Sequence, residues 1–292
     1  MRIKILVLSA GFLLLGFCLT GENAFSAGKP VVHFGIGMRY HPIVVYERFQ
    51  PMMDYLTQNT PYKFELKISR DYDEAIKFLV EGATDIAATG DGGLMEAMLL
   101  HGAVPILKPL NEEGLPLYRC YFIVPANSPI RSLRDLKGKK IAFGSKHSTT
   151  GNLIPRYMLW ENGVMVEEFA SMTNLRNHSA VARAVLKGEY DAGAIKDVVA
   201  RNHINHGLRV LASSAALPSI PLVVGKNTPR ELTRAVVDAL TRLDRRNPEH
   251  RKIMDNWDRE FKYGFIPAKA ADYRNLIRMF KAIPYGCGTG CH

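Results

Sequence analysis

A short pattern written twice constrains this chain more than any other feature. FLVEGATDIAA (78–88) and AVLKGEYDAGA (184–194) both carry an apolar residue, then Gly three positions on, then Asp three further, then small residues. Leu79, Gly82, Asp85 and Ala88 align with Val185, Gly188, Asp191 and Ala194. Each copy reads as a helix stopped by glycine, a turn, and a strand that begins at an aspartate. Copies about a hundred residues apart point to two similar lobes rather than a short-period solenoid. Around them strand-like and helix-like stretches alternate. PVVHFGIGM is a buried strand, ERFQPMMDYLTQN a helix, and YKFELKIS a strand with Phe64, Leu66 and Ile68 on one face. A second series runs from YRCYFIVP through KKIAFG to the helix around LIPRYMLWENG. Strands separated by helices make α/β lobes with largely parallel sheets.

The first residues set the compartment. Arg2 and Lys4 precede an apolar run from Ile5 to Leu19, and small residues follow at Ala24, Ser26 and Ala27. That is the order of a secretory signal, cleaved after Ser26 or Ala27. The run is short for a membrane span and is interrupted by Ser9, Gly11 and Gly16, so the protein is not expected to be an integral membrane protein. Cys18 follows the bulky Phe17, which argues against a lipid anchor. Residues 1–26 are thus read as a signal peptide and the mature chain as periplasmic. About 265 residues then remain, enough for two lobes of ordinary size. The whole chain carries a net charge of +10, and loss of Arg2, Lys4 and Glu22 with the leader leaves +9. Nucleic acid is not expected as a partner outside the cytoplasm. The excess therefore favours anionic ligands or an acidic surface, or else reflects a generally basic exterior.

The last third is helical. Thr228-Pro229-Arg230-Glu231 predicts a capping box with proline at the first helical position, followed by an apolar stripe of Leu232, Val236, Leu240 and Leu243. The most informative interior stretch is LKGKKIAFGSKHSTTGNLIPRYMLWENG, 136–163. A strand runs into a loop where Ser148, Thr149 and Thr150 stand at the start of a helix. The first amides of a helix have no intrahelical partner and its dipole is positive there, so hydroxyls added to those amides suit a phosphate-like oxyanion. One such hydroxyl alone reads as an N-cap; three in a row before Gly151 favour a ligand site.

SLRDLKGKKIAFGSKHSTTGNLIPRYML resembles the signature of the phosphate/phosphite/phosphonate substrate-binding proteins of ABC transporters. NHSAVARAVLKGEYDAGAI is similar to that family's His-containing turn, helix and strand, ATDIAATGDGG to its first-lobe loop, and GFIPAKAADYRNL to its usual close. The resemblance implies a two-lobed periplasmic binding protein fold, type II-like, with a ligand cleft between lobes that hinge. Lobe 1 would hold residues 27–117 and 222–282, and lobe 2 residues 118–221. It also implies a small oxyanion ligand of the phosphonate, phosphite or phosphate kind, and an ABC permease or a membrane sensor kinase as partner. By position, Ser148, Thr149, Thr150 and His178 would hold the ligand from lobe 2, with Tyr40 and the loop around Thr89 and Asp91 facing them from lobe 1. Asp191 is open to two readings, a cleft carboxylate or a strand-start residue that binds backbone. Where the family has Gly-Pro and an aromatic, this chain has Thr89-Gly90-Asp91-Gly92-Gly93-Leu94. Asp91 would repel a fully ionised oxyanion, which favours a ligand bearing a proton or a positive group.

An enzyme is not expected: no Gly-x-Ser-x-Gly, His-Glu-x-x-His or phosphate-loop pattern occurs, and His203 with His206 reads as a polar helix end. The chain closes on PYGCGTGCH, whose residues 283–292 form a separate tail. Cys287, Cys291 and His292 match the Cys-x-x-Cys-His haem c attachment motif with one residue added. Cysteines 287 and 291 would bond the haem and His292 would ligate its iron, which would add a redox partner to the expected ones. A local disulfide is equally natural in an oxidising compartment, and a zinc site would need a fourth ligand from elsewhere. Cys120 is left as a small buried strand residue.

Overall fold

The computed structural model describes residues 28–37, 42–88 and 91–282. The chain begins with β1 (Val31–Gly37), α1 (Pro42–Asn59), β2 (Lys63–Ser69), α2 (Tyr72–Val80), β3 (Ile86–Ala88), α3 (Asp91–Leu100) and β4 (Val104–Pro109). A two-residue strand, β5 (Leu117–Tyr118), leads into a second series: β6 (Cys120–Pro125), β7 (Lys140–Phe143), α4 (Ile154–Glu161), β8 (Ser171–Asn174), α5 (His178–Leu186), β9 (Ala192–Lys196), α6 (Asp197–Ala200) and β10 (Leu208–Ser213). The chain returns through β11 (Leu217–Pro218) to β12 (Leu222–Val224), α7 (Arg230–Thr241), α8 (Pro248–Met254), β13 (Phe265–Pro267) and α9 (Arg274–Ala282).

Two sheets result. One has the order β13-β4-β12-β3-β1-β2, the other β10-β6-β9-β7-β8, and the short strands β5 and β11 pair with each other between them. Within each sheet three strands run parallel, β3-β1-β2 and β9-β7-β8. Of these, β3 and β9, which also join the antiparallel part of each sheet, are buried along their whole length.

The repeated sequence pattern is a repeated structure. Gly82 and Gly188 end their helices at φ of +74° and +72°, backbone that glycine adopts without a Cβ penalty. Past each turn an aspartate pairs with the neighbouring strand through two bonds. The Asp85 amide donates to the His33 carbonyl (2.9 Å) and the His33 amide to Asp85 Oδ2 (2.8 Å). The Asp191 amide donates to the Lys140 carbonyl (2.9 Å) and the Lys140 amide to Asp191 Oδ2 (2.8 Å). Matching helices are capped alike: the Asp71 carboxylate accepts the Glu74 amide, and the Asn177 side chain accepts that of Ala180.

At the start of α7 the structure differs from the expected capping box. The helix begins at Arg230, one residue later than expected, and Pro229 occupies the cap. The Thr228 hydroxyl donates instead to the Asp85 carbonyl at 3.1 Å, tying the helix entry to the turn before β3. The predicted stripe of Leu232, Val236, Leu240 and Leu243 is buried. Helix α9, read from sequence as part of the first lobe, lies against α4 of the second, so the chain crosses between the lobes a third time. Tyr273, just before it, is buried and donates its hydroxyl to the Ser219 carbonyl beside β11 (2.7 Å). Among the described residues no helix is long and apolar enough to cross a membrane.

Candidate ligand-binding site

The site is built where β7 ends. Phe143 is buried, and the chain turns through Gly144 to Ser148 before a wide turn, Thr149–Leu153, feeds α4. Ser148 caps that turn twice. Its Oγ accepts the Gly151 amide at 3.0 Å, and its carbonyl accepts the amides of Asn152 (3.0 Å) and Leu153 (3.1 Å). Bonds from Leu153 to Ser148 and from Ile154 to Thr149 span five residues, one more than in an α-helix. This widening keeps the entry of α4 open around Thr149 and Thr150.

Two glycines make the turn sterically feasible. The Gly144 amide donates to the Gly151 carbonyl at 2.7 Å. A Cβ on Gly151 would stand 2.9 Å from the Gly144 Cα, 2.9 Å from Ser148 Oγ and 3.1 Å from His178 Cε1. A polar brace holds the outside of the loop. Asn174, at the end of β8, donates from Nδ2 to the Gly144 carbonyl (2.6 Å) and to Asn152 Oδ1 (3.1 Å). The Arg156 Nε donates to the same Asn152 oxygen (3.1 Å), and its guanidinium lies over the Phe143 ring.

Inside this frame Thr149 and Thr150 are completely buried, and neither Oγ1 has a hydrogen-bond partner among the described residues. A buried hydroxyl left unmatched is costly and is normally avoided. Two adjacent ones at a helix entry mark a place where something else is meant to complete the bonding. His178 opens α5, with its ring against Gly151, so the entries of α4 and α5 meet at one corner. Both helices direct their positive ends there. From the first lobe, α3 packs against the 149–153 turn.

The structure thus brings Ser148, Thr149, Thr150 and His178 together. Tyr40 and Thr89 lie outside the described residues, as do Cys287, Cys291 and His292. Asp91 is the first residue of α3, the first-lobe helix that meets the turn. Asp191 is not brought to the site. It stands at the opposite end of its strand and is exposed, with its carboxylate on the Lys140 amide, which is the backbone-binding one of its two readings. Among the described residues no group of three or more His, Cys, Asp or Glu is arranged to hold a metal.

Several buried groups near the crossing carry no local sequence signal. Cys120 is fully buried and its Sγ lies 3.2 Å from the Thr150 carbonyl; burial, with the nearby Asp197, pushes its thiol pKa well up. Burial also raises the Asp197 carboxyl, against the opposing pull of Lys196 and of the amides of Val198 and Arg119. Lys196, at the end of β9, forms an ion pair with Glu260 at 2.9 Å. Nothing near either residue in the sequence predicts that meeting.

Comparison with known proteins agrees with this architecture. The family model for the phosphonate-type periplasmic substrate-binding protein of ABC transporters matches residues 34–273. The chain is 25% identical over 177 residues to a probable ABC transporter phosphite binding protein of Prochlorococcus marinus, covering 54% of this chain and 59% of that protein. It is 29% identical over 171 residues to a phosphate-import protein of Mycolicibacterium smegmatis, covering 54% and 53%. It is 24% identical over 248 residues to the phosphonates-binding periplasmic protein of Escherichia coli, covering 79% and 69%. These matches span between about half and two thirds of the relatives' own length. Among solved structures, a binding protein component of an ABC phosphonate transporter from Pseudomonas aeruginosa superimposes with a TM-score of 0.74 at 23% identity, over 86% of this chain and 85% of that one. PhnD1 of Prochlorococcus marinus, in complex with methylphosphonate, gives 0.74 at 21%, over 87% and 98%. At such identity the likeness establishes the two-lobed fold.

Proposed function

Because the chain belongs to the phosphonate-type periplasmic substrate-binding proteins of ABC transporters, we propose that it captures a small phosphorus oxyanion between its lobes and presents it to a membrane permease. The observation that carries this reading is the pair of fully buried hydroxyls of Thr149 and Thr150, without a partner among the described residues, beside Ser148 and His178. Each would donate to a ligand oxygen, with the helix-entry amides and the two positive helix ends adding to the attraction. No step of bond making or breaking is assigned; the site binds. Asp91, at the head of the facing helix, disfavours a fully ionised ligand, so methylphosphonate and phosphite are expected to bind in protonated, singly charged form. Calorimetric titration with phosphate, phosphite and methylphosphonate tests the reading directly. Micromolar or tighter binding of one of them, weakened by Thr149→Val and Thr150→Val, supports it. Absence of binding for all three, with a folded protein, refutes it. Presentation of the same closed form to a sensor kinase uses the same cleft, and reconstitution with permease vesicles separates transport from sensing.

We further propose that the tail, which follows α9, carries a covalent haem c. Two thiols and a histidine in Cys287-x-x-x-Cys291-His292, in an exported chain, are the support. Cys287 and Cys291 would hold the haem through thioether bonds and His292 would ligate its iron, so that the group would supply a redox centre. Such a group would give the binding scaffold a role in redox sensing or electron transfer. Expression with haem c maturation machinery, followed by pyridine haemochrome spectroscopy and intact-mass measurement, decides it against Cys287→Ala. A colourless protein two hydrogens lighter than the reduced chain would make the tail a disulfide loop.

A further inference from the structure

The second lobe carries an apolar seat at the end of α4 opposite the anion turn. Trp160, in the last turn of that helix, is 45% exposed and lies at a tilt to Tyr157, with ring centroids 5.8 Å apart. The helix closes at Glu161 and the chain reverses through Gly163 at φ +67°. The Gly163 amide donates to the Trp160 carbonyl (3.1 Å) and the Val164 amide to the Leu159 carbonyl (3.0 Å). Val164 is buried after this turn, and Met165, next in the chain, is 44% exposed. Single exposed apolar residues are ordinary, but a tryptophan beside another aromatic ring is a common anchor of a contact.

Helix α9 brings the chain's C-terminal segment to the same place. It packs against α4, with Met279 on the core beneath that helix and Phe280 half-buried. The Tyr157 phenol is raised in pKa by its bond to the Glu161 carboxylate and feels the opposing charge of Arg278, so Arg278 stands alongside α4. Residues 283–292 begin little more than one helical turn beyond Arg278. Ten extended residues span up to about 33 Å, which puts Trp160 within their reach. Ile283, Pro284 and Tyr285 are apolar or aromatic, and the whole segment contains no Lys, Arg, Asp or Glu, so an apolar seat would desolvate none of those charges. A tether this short holds its end at an effective concentration of about millimolar, and contacts too weak for a free peptide then suffice.

We propose that the surface formed by Tyr157, Trp160 and Met165 is the seat of the chain's own C-terminal tail, with Ile283 and Tyr285 packed on the indole. The seat holds Cys287, Cys291 and His292 on the second lobe, beside the helix whose other end forms the anion turn. Whatever the tail carries, haem or disulfide, is then fixed to that lobe and moves with it. The inference goes beyond the ligand and haem readings and depends on neither.

Trp160 and Trp257 are the chain's two tryptophans, and Trp257 is buried, so the Trp160 indole reports on the seat. The test is acrylamide quenching of the full-length chain, with thiols reduced and no haem, and with the signal of Trp160→Phe subtracted. Trp160 in the parent is expected to be quenched about 2-fold less steeply than in the double variant Ile283→Ser, Tyr285→Ser, as an occupancy of one half or more implies. In fluorotryptophan NMR the Trp160 signal is expected to move in that variant while the Trp257 signal stays. Equal quenching in parent and variant, with an unmoved Trp160 signal, overturns the seat. So does a Trp160 exposure that changes with protein concentration, which would place a second copy on the patch. Oxyanion titration and pyridine haemochrome spectra read the other two proposals separately, so each can fail alone. If the double variant does not fold, Tyr285→Ser alone carries the same comparison.

Discussion

Removing the hydroxyl of Thr150 should move stability and affinity in opposite directions. In the ligand-free protein Thr150 is fully buried and its Oγ1 has no partner among the described residues. An unmatched buried hydroxyl costs about 1–3 kcal/mol, and valine presents a methyl in nearly the same space. Thr150→Val should thus stabilise the empty protein by about 1 kcal/mol or more, a rise in Tm of about 2–4 °C per kcal/mol for a chain of this size. A hydrogen bond to a charged ligand contributes about 1.5–3 kcal/mol, so the same change should weaken oxyanion binding by about 10- to 150-fold. Differential scanning calorimetry of the empty protein and isothermal titration with methylphosphonate or phosphate give the two numbers independently. Thr149→Val should behave alike. A variant that melts lower than the parent while binding as tightly would show the hydroxyl to be a structural donor, and the reasoning that makes this corner a ligand site would fail.

Other consequences are equally open to measurement. Gly193→Ala would bring a Cβ within 2.5 Å of Val181 Cγ1 and 3.1 Å of the Ala142 carbonyl, so it should cost about 1–3 kcal/mol in urea unfolding. Asp85→Ala and Asp191→Ala each remove the carboxylate that accepts a strand amide, and should lower stability by similar amounts, about 1–3 kcal/mol. Asp191→Ala should leave oxyanion affinity unchanged in the same titration; a tenfold loss would return Asp191 to the cleft. Burial raises the Asp197 carboxyl pKa, so the folded state binds that proton more tightly than the unfolded chain. Its contribution to stability should therefore grow as pH falls through the raised folded value towards the ordinary carboxylate range. The gap in Tm between the parent and Asp197→Asn should shift in the parent's favour between pH 7 and pH 4; a constant gap would refute the assignment.

What was legible in the sequence is what local stereochemistry dictates. A helix that must stop and reverse into a buried parallel strand needs left-handed backbone at one point, which calls for glycine, as at Gly82 and Gly188. An amide of the neighbouring strand needs an acceptor, and Asp85 supplies one to His33 of β1 and Asp191 one to Lys140 of β7. The pattern could therefore be read twice and the lobes counted. The Ser-Thr-Thr-Gly corner was legible for a similar reason, since only small and hydroxylated residues fit a turn where Gly144 and Gly151 touch. The cap at Thr228 misled because its local pattern was satisfied by a distant group: the carbonyl of Asp85, 143 residues away, took the hydroxyl.

The same distinction explains what could not be read between the lobes. Lys196 and Glu260 are ordinary charged residues in their own neighbourhoods, and their partnership exists only because the crossing strands bring the end of β9 over the lead-in to β13. Local rules recover the walls of each lobe, because each wall closes its own hydrogen bonds. The relation between the lobes rests on long-range contacts such as Lys196–Glu260 and the packing of α9 on α4. Substitutions at interlobe contacts such as Lys196–Glu260 should thus tune apparent affinity for every ligand by one common factor, whereas changes at Thr149 or Thr150 should alter the ratio between ligands.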